Sequence, residues 1–200
     1  MIRLCSVFWL MLSLTLAGCA TSPPSRFYLL TPVEAAPEGP ALKDLVLGVG
    51  PVRLAAYLER PQIVARKSAN RLKVEEFDRW GGTLEANITW VVAENLSNNL
   101  GTESVITFPW ERALVPDYQV AIDVRQFDLA HPGEVRLTAL WRLLGPRGEK
   151  LHAIRKSDIR EPVWGSGFDA QVAAQSKELA RMSLEIAEAI RTLEPKSNTK

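Results

Sequence analysis

Few side chains in this sequence have the type and spacing to do covalent chemistry. The 200 residues include two cysteines, Cys5 and Cys19, and two histidines, His131 and His152. Acid, base or nucleophilic catalysis needs titratable groups that converge, and neither histidine stands in a metal-spaced cluster. His131 precedes Pro132-Gly133, the composition of a turn, and His152 falls in an alternating stretch, so both read as structural. A nucleophile elbow requires Gly-x-Ser-x-Gly, and Gly165-Ser166-Gly167 lacks that spacing. Gly48-Val49-Gly50 lacks the third glycine of a dinucleotide fingerprint, with Arg53 in its place. Glu75, Glu76 and Asp78 are interleaved with Lys73 and Arg79, the mixture expected of a solvated edge. The expectation is therefore no enzyme, no cofactor and no metal. The reactive group with an instructive setting is the Cys19 thiol.

Cys19 ends an N-terminal segment in which one basic residue, Arg3, precedes an apolar run from Leu4 to Leu16. That run is too short to span a bilayer comfortably, which takes about 20 apolar residues, and it matches the apolar region of a secretory signal. The small residues Ala17 and Gly18 suit the narrow pocket of a signal peptidase. Leu16-Ala17-Gly18-Cys19 resembles the lipobox of bacterial lipoproteins. In such proteins the cysteine takes a diacylglyceryl group on sulfur, becomes the first residue after cleavage, and is then usually N-acylated. The expectation is a signal peptide over 1–18 and covalent lipid on Cys19. Two or three acyl chains hold a protein on a membrane where one does so only marginally.

Removing residues 1–18 takes away Arg3 and Cys5, leaving 23 basic against 23 acidic residues and a single, acylated cysteine. No intrachain disulfide is then possible. Balanced and scattered charge gives no electrostatic footprint for nucleic acid. About 180 residues remain, the size of one domain around one core. The tether over 19–25 reaches only about 20–25 Å when fully extended, so the folded body sits close to its membrane.

Arg26 to Leu30 reads as a strand, and Leu45 to Val52 as a second, apolar enough to be buried on both faces. Gln62 to Arg66 and Arg71 to Glu75 form a hairpin about Ser68-Ala69-Asn70. Leu84, Ile88, Val91, Val92, Leu96 and Leu100 make one helical stripe, stopped by Gly101. Tyr118, Val120, Ile122 and Val124 alternate, and a change of phase at Phe127 and Leu129 places a bulge near Arg125 or Gln126. Val135 to Leu143 and Leu151 to Ile159 continue an antiparallel meander. A closing helix follows from Phe168 to Leu193, with a polar tail over 196–200 expected to be disordered. The implied fold is α/β: a single domain over 26–195 with a mixed, largely antiparallel sheet and two amphipathic helices packed on one face.

Three segments carry unusual residues without an evident folding need: Gly50 through Tyr57-Leu58-Glu59-Arg60-Pro61-Gln62-Ile63-Val64 to Arg66, Asp78-Arg79-Trp80, and Phe108-Pro109-Trp110. With the lipobox, the Phe27-Tyr28-Leu29 strand and Tyr118 to Phe127-Asp128, they resemble the ABC-type transport auxiliary lipoproteins, the PqiC (YmbA) family. Ala55, Gly81 and Gly82 depart from that pattern. The resemblance implies a component of an intermembrane lipid transport system, alongside inner-membrane proteins and an MCE-domain protein that forms a tunnel across the periplasm. Lipoproteins with Asp directly after the acylated cysteine are commonly retained in the inner membrane. Ala20 stands there, so the implied destination is the periplasmic face of the outer membrane.

Within this frame the expected role is docking the tunnel protein, a homo-oligomer being suited to a symmetric tunnel. Exposed aromatics beside Arg and Pro are the usual anchors of such contacts. The candidate contact residues are Tyr57, Arg60, Pro61, Arg66, Trp80 and Trp110, of which Tyr57, Arg60 and Pro61 are expected at the surface. The alternative is a carrier that itself holds a phospholipid in a groove between sheet and helices.

The anchor gives the first test. Cys19→Ser is expected to abolish labelling with palmitate and to leave the chain unprocessed or released from membranes, while Cys5→Ser leaves labelling intact. Palmitate on the Cys19→Ser chain would show that the anchor lies elsewhere.

Overall fold

The computed structural model describes residues 23–33, 39–131 and 133–194. The signal segment, Cys19 and the tail over 196–200 lie outside the described residues. The strands are β1 (Arg26–Tyr28), β2 (Leu47–Leu54), β3 (Gln62–Ser68), β4 (Arg71–Trp80), β5 (Val105–Thr107), β6 (Tyr118–His131), β7 (Glu134–Leu144) and β8 (Leu151–Pro162). The helices are α1 (Leu84–Leu100) and α2 (Gly167–Leu193). All eight strands join one mixed sheet whose longest ladders, β6 with β7 and β7 with β8, are antiparallel.

β6 is the spine. One edge pairs with β7, and the other carries two strands end to end. β2 runs parallel to it from Leu47↔Tyr118 to Leu54↔Val124, and β3 then joins it at Ala65↔Leu129. Each of these strands starts its own wing. β5 flanks β2 in parallel, while β4 flanks β3 antiparallel and is followed by β1. The sheet is therefore forked on this side, with the wings diverging from the β2–β3 junction.

The helices cover one face because alternation puts the apolar set of each strand there. In β7, Val135, Leu137, Ala139, Trp141 and Leu143 are buried and the intervening residues half-buried. The Trp141 indole N–H, which would be costly to bury alone, donates to Ser157 Oγ at 3.0 Å. Thr83 caps α1 by accepting from the Ala86 amide, and Gly101 ends it in the left-handed conformation at φ 65°. The α1 stripe from Leu84 to Leu100 is buried, as its spacing predicts. The phase change in β6 is a bulge between Val124 and Gln126, again as predicted.

Two local expectations are corrected, and one further strand is present. β4 extends to Trp80 rather than stopping at Glu75, because its far half pairs with β1. Asp78 is consequently buried rather than on a solvated edge. β5 carries three residues with no long alternation, so nothing in its sequence separates it from loop. His131 is the last residue of β6.

The underside of α2 is unusually polar. Gln171, Gln175, Ser176, Glu178 and Ser183 are buried among the apolar residues of the same face. Glu178 has no solvent exposure and neither carboxyl oxygen finds a hydrogen-bond partner. Burial pushes its carboxyl up to about 9. A carboxyl whose folded pKa is raised opposes folding wherever the unfolded chain ionises, so the penalty opens above about 4.5 and grows to about 9. Glu178→Gln keeps the shape of the protonated acid and is expected to stabilise by roughly 3 kcal/mol at pH 7, at about 1.4 kcal/mol per pH unit. Melting curves should coincide near pH 5 and separate steadily towards pH 9. Parallel curves across that range would mean that the carboxylate is paired or hydrated in the fold.

Candidate functional site

The fork in the sheet leaves a groove. The β2–β5 ladder ends at Val49↔Thr107, and an irregularity follows in β2 between Val49 and Val52. Beyond it, β2 continues along β6 from Val52 to Leu54 with no strand on its outer edge among the described residues. The chain then makes one tight helical turn at Ala56–Leu58 and enters β3 after Pro61. On the far side, β4 returns and its last amide, Trp80 N–H, donates to Pro61 C=O at 2.7 Å. Between these elements and the start of α1 lies a cavity of about 1030 Å³. Val52, Leu54, Leu58, Pro61, Trp80 and Leu84 give it apolar walls, and the exposed Phe27 stands at its edge. Its charged residues, Arg53, Glu59, Arg60 and Glu85, are all exposed at the mouth.

The turn that shapes this groove is fixed from beneath. Asp128, on β6, has no solvent exposure. Its carboxylate accepts from Tyr57 Oη at 2.7 Å, from Arg66 Nη2 at 3.0 Å and Nε at 3.4 Å, and from Gln126 Nε2 at 2.9 Å. The Arg66 guanidinium also lies 5.7 Å from the Tyr57 ring centroid. Burial, and then the bond to Asp128, raises the Tyr57 phenol well above its ordinary value, so it stays a donor at every physiological pH.

These positions sort the six candidate contact residues. Arg60 and Pro61 are exposed at the apex of the turn, as expected. Tyr57 is not presented to solvent; it is half-buried because its hydroxyl is committed to Asp128. Arg66 is half-buried in the same cluster. Trp80 is a core residue that forms a wall of the groove. Trp110 lies apart, half-buried against β2, where a Cβ on Gly48 would come within 2.9 Å of its ring. Phe108 packs edge-on against Trp110 at 5.5 Å, and Gly50 leaves room for the Phe108 Cβ. Gly48 and Gly50 thus serve close packing.

Among the described residues no group of three His, Cys, Asp or Glu side chains is placed to hold a metal. His152 stacks edge-on against Tyr118 at 5.4 Å, and Ser166 precedes the first turn of α2. Asp128 was visible in the sequence only as part of a resemblance. The available signal was an acidic residue two positions beyond the bulge in a buried strand, and the groove itself had none, because it arises from strands ending at different lengths.

A sequence profile of the ABC-type transport auxiliary lipoprotein component matches residues 28–187. The chain belongs to this family. Two solved structures share the fold. One is the crystal structure of an uncharacterized protein, 21% identical, with TM-score 0.69, covering 84% of this chain and 99% of that one. The other is the DUF330 protein XCC0632 from Xanthomonas campestris, 20% identical, with TM-score 0.66, covering 84% and 97%. No curated protein matches the sequence. Membership makes the chain a lipoprotein auxiliary to ABC-type transport, and none of its described helices is long and apolar enough to cross a membrane.

Of the Tyr57 to Arg66 string, the two end residues brace Asp128. Asp128→Ala strands the half-buried Tyr57 hydroxyl, Gln126 amide and Arg66 guanidinium, a class of change that costs about 3 kcal/mol. A fall of roughly 6–12 °C in Tm is expected at this chain length. An unchanged Tm would mean that water or rearrangement satisfies the donors equally well.

Proposed function

We propose that this lipoprotein is a non-enzymatic docking component of an MCE-type intermembrane lipid transport system. Lipid on Cys19 anchors it in the periplasmic leaflet of the outer membrane, and the domain over 26–195 holds the periplasmic tunnel protein there. The family supplies the transport setting. The observation that carries the docking role is the exposed pair Arg60-Pro61 on a turn braced through Tyr57 and Arg66 to a fully buried carboxylate. A side chain presented on a rigid turn loses little backbone freedom when it is bound, which removes one of the costs of association. Pro61 adds to this by restricting Arg60 to extended backbone.

The tether supports the same reading. β1 begins seven residues after Cys19 and is fixed to β4 by Asp78. That carboxylate accepts from Arg26 Nε and Nη2 at 2.7 and 2.8 Å and from Tyr28 Oη at 2.9 Å. The domain thus begins within about 25 Å of its anchor.

Arg60→Ala is expected to leave the melting temperature unchanged, since an exposed substitution normally shifts stability by less than about 0.5 kcal/mol. Capture of the tunnel protein should fall about thirtyfold, the effect of losing an anchor worth about 2 kcal/mol. Normal melting together with normal capture would remove Arg60 from the contact surface. A large drop in Tm would instead make it a structural brace.

A further inference from the structure

The groove is larger than a docking loop requires. Two exposed residues on a turn need no cavity, yet this one has the upper volume of small-molecule sites, about 300–1,000 Å³, and it is lined by aliphatic and aromatic side chains. An apolar cavity left open to water is costly unless something fills it.

We infer that the groove takes one acyl chain of a zwitterionic phospholipid drawn from the adjoining bilayer. Three observations select that occupant. The walls offer apolar surface, with polar and charged groups confined to the mouth, which is the division between an acyl chain and its headgroup. The mouth carries Arg53 and Arg60 against Glu59 and Glu85, two charges of each sign, matching a headgroup that bears both a phosphate and an ammonium. Phe27, at the edge of the groove, lies eight residues from Cys19, so the groove stands within about 28 Å of the anchored residue. A bound peptide strand fits less well. The free edge of β2 is only Pro51 to Leu54, Pro51 has no N–H to offer, and strands typically run about 5–6 residues.

The inference deepens the proposed function by naming a ligand, and it draws on the anchor reading only for closeness to a bilayer. Its test therefore omits Cys19. The whole described core lies within 28–190, so residues 20–200, exported to the periplasm behind a cleavable signal, retain the fold. The probe is cis-parinaric acid, whose fluorescence rises in an apolar site and is excited by transfer from nearby tryptophan, here Trp80. The delipidated chain is expected to bind it saturably, one per chain, and phosphatidylethanolamine should displace it at lower concentration than phosphatidylglycerol.

Two variants address the groove itself. Gly82→Trp fills the mouth, where a Cβ meets nothing within 4 Å, and Leu54→Arg puts a charge on the half-buried wall. Each should weaken parinarate binding about tenfold or more, while Glu188→Trp on the exposed side of α2 leaves it unchanged. Native affinity in both groove variants, no saturable binding in the parent chain, or equal displacement by the two phospholipids would overturn the inference. So would loss of tunnel-protein capture in Gly82→Trp without any parinarate binding, which would make the groove a protein site. Failure of the anchor or docking readings shows separately, in palmitate labelling and in Arg60→Ala capture.

Discussion

A carboxylate with no access to water must be supplied with donors by the protein, and Asp128 draws its donors from three places. Tyr57 comes from the turn after β2, Arg66 from β3, and Gln126 from β6 itself. Leaving such a charge unpaired costs several kcal/mol, so the β2–β3 junction cannot drift from β6 without losing that compensation. This constraint sets the position of the turn, and the turn in turn sets where β2 ends, where β3 begins and how the two wings of the sheet diverge. Groove and presented loop are both consequences of that one anchorage.

Asp78 performs the corresponding task for the N-terminal strand β1. Its pKa is lowered chiefly by the Arg26 hydrogen bonds, with Tyr28 adding a further donor. The stabilisation it gives is present at neutral pH and is lost only when acid titrates the depressed carboxyl. Because Arg26 is largely exposed, the pair contributes less through energy than through geometry: it fixes a three-residue strand that would otherwise fray. The two aspartates thus fix the N-terminal strand to its wing and the loop to the spine.

Much of this architecture was legible in the sequence because most of it is local and periodic. The α1 stripe with Gly101, the alternation of β7, the bulge in β6 and the long face of α2 all follow from spacing. What spacing cannot express is a long-range polar pairing. Tyr57 read as a surface residue because nothing nearby in the chain shows that its hydroxyl meets an aspartate 71 positions later. Asp78 read as solvated for the same reason, since its arginine lies 52 positions earlier. The groove was less visible still. It consists of places where strands stop: β5 at Thr107, β4 at Trp80, and α1 only beginning at Leu84.

An open sheet with a recessed gap must still avoid pairing with its neighbours. The outer strand β8 presents Arg155, Lys156, Asp158 and Arg160 along its length, and Asp158 and Arg160 are already paired to Arg136 and Glu134 on β7. Another strand docking there would have to displace or desolvate those charges, the usual protection of an exposed edge. The free edge of β2 is protected differently, by its shortness, by Pro51 and by its recess between the wings. A recess that excludes another sheet still admits a slender apolar chain. The fork therefore leaves an apolar surface uncovered while denying that surface to a second copy of the same strand.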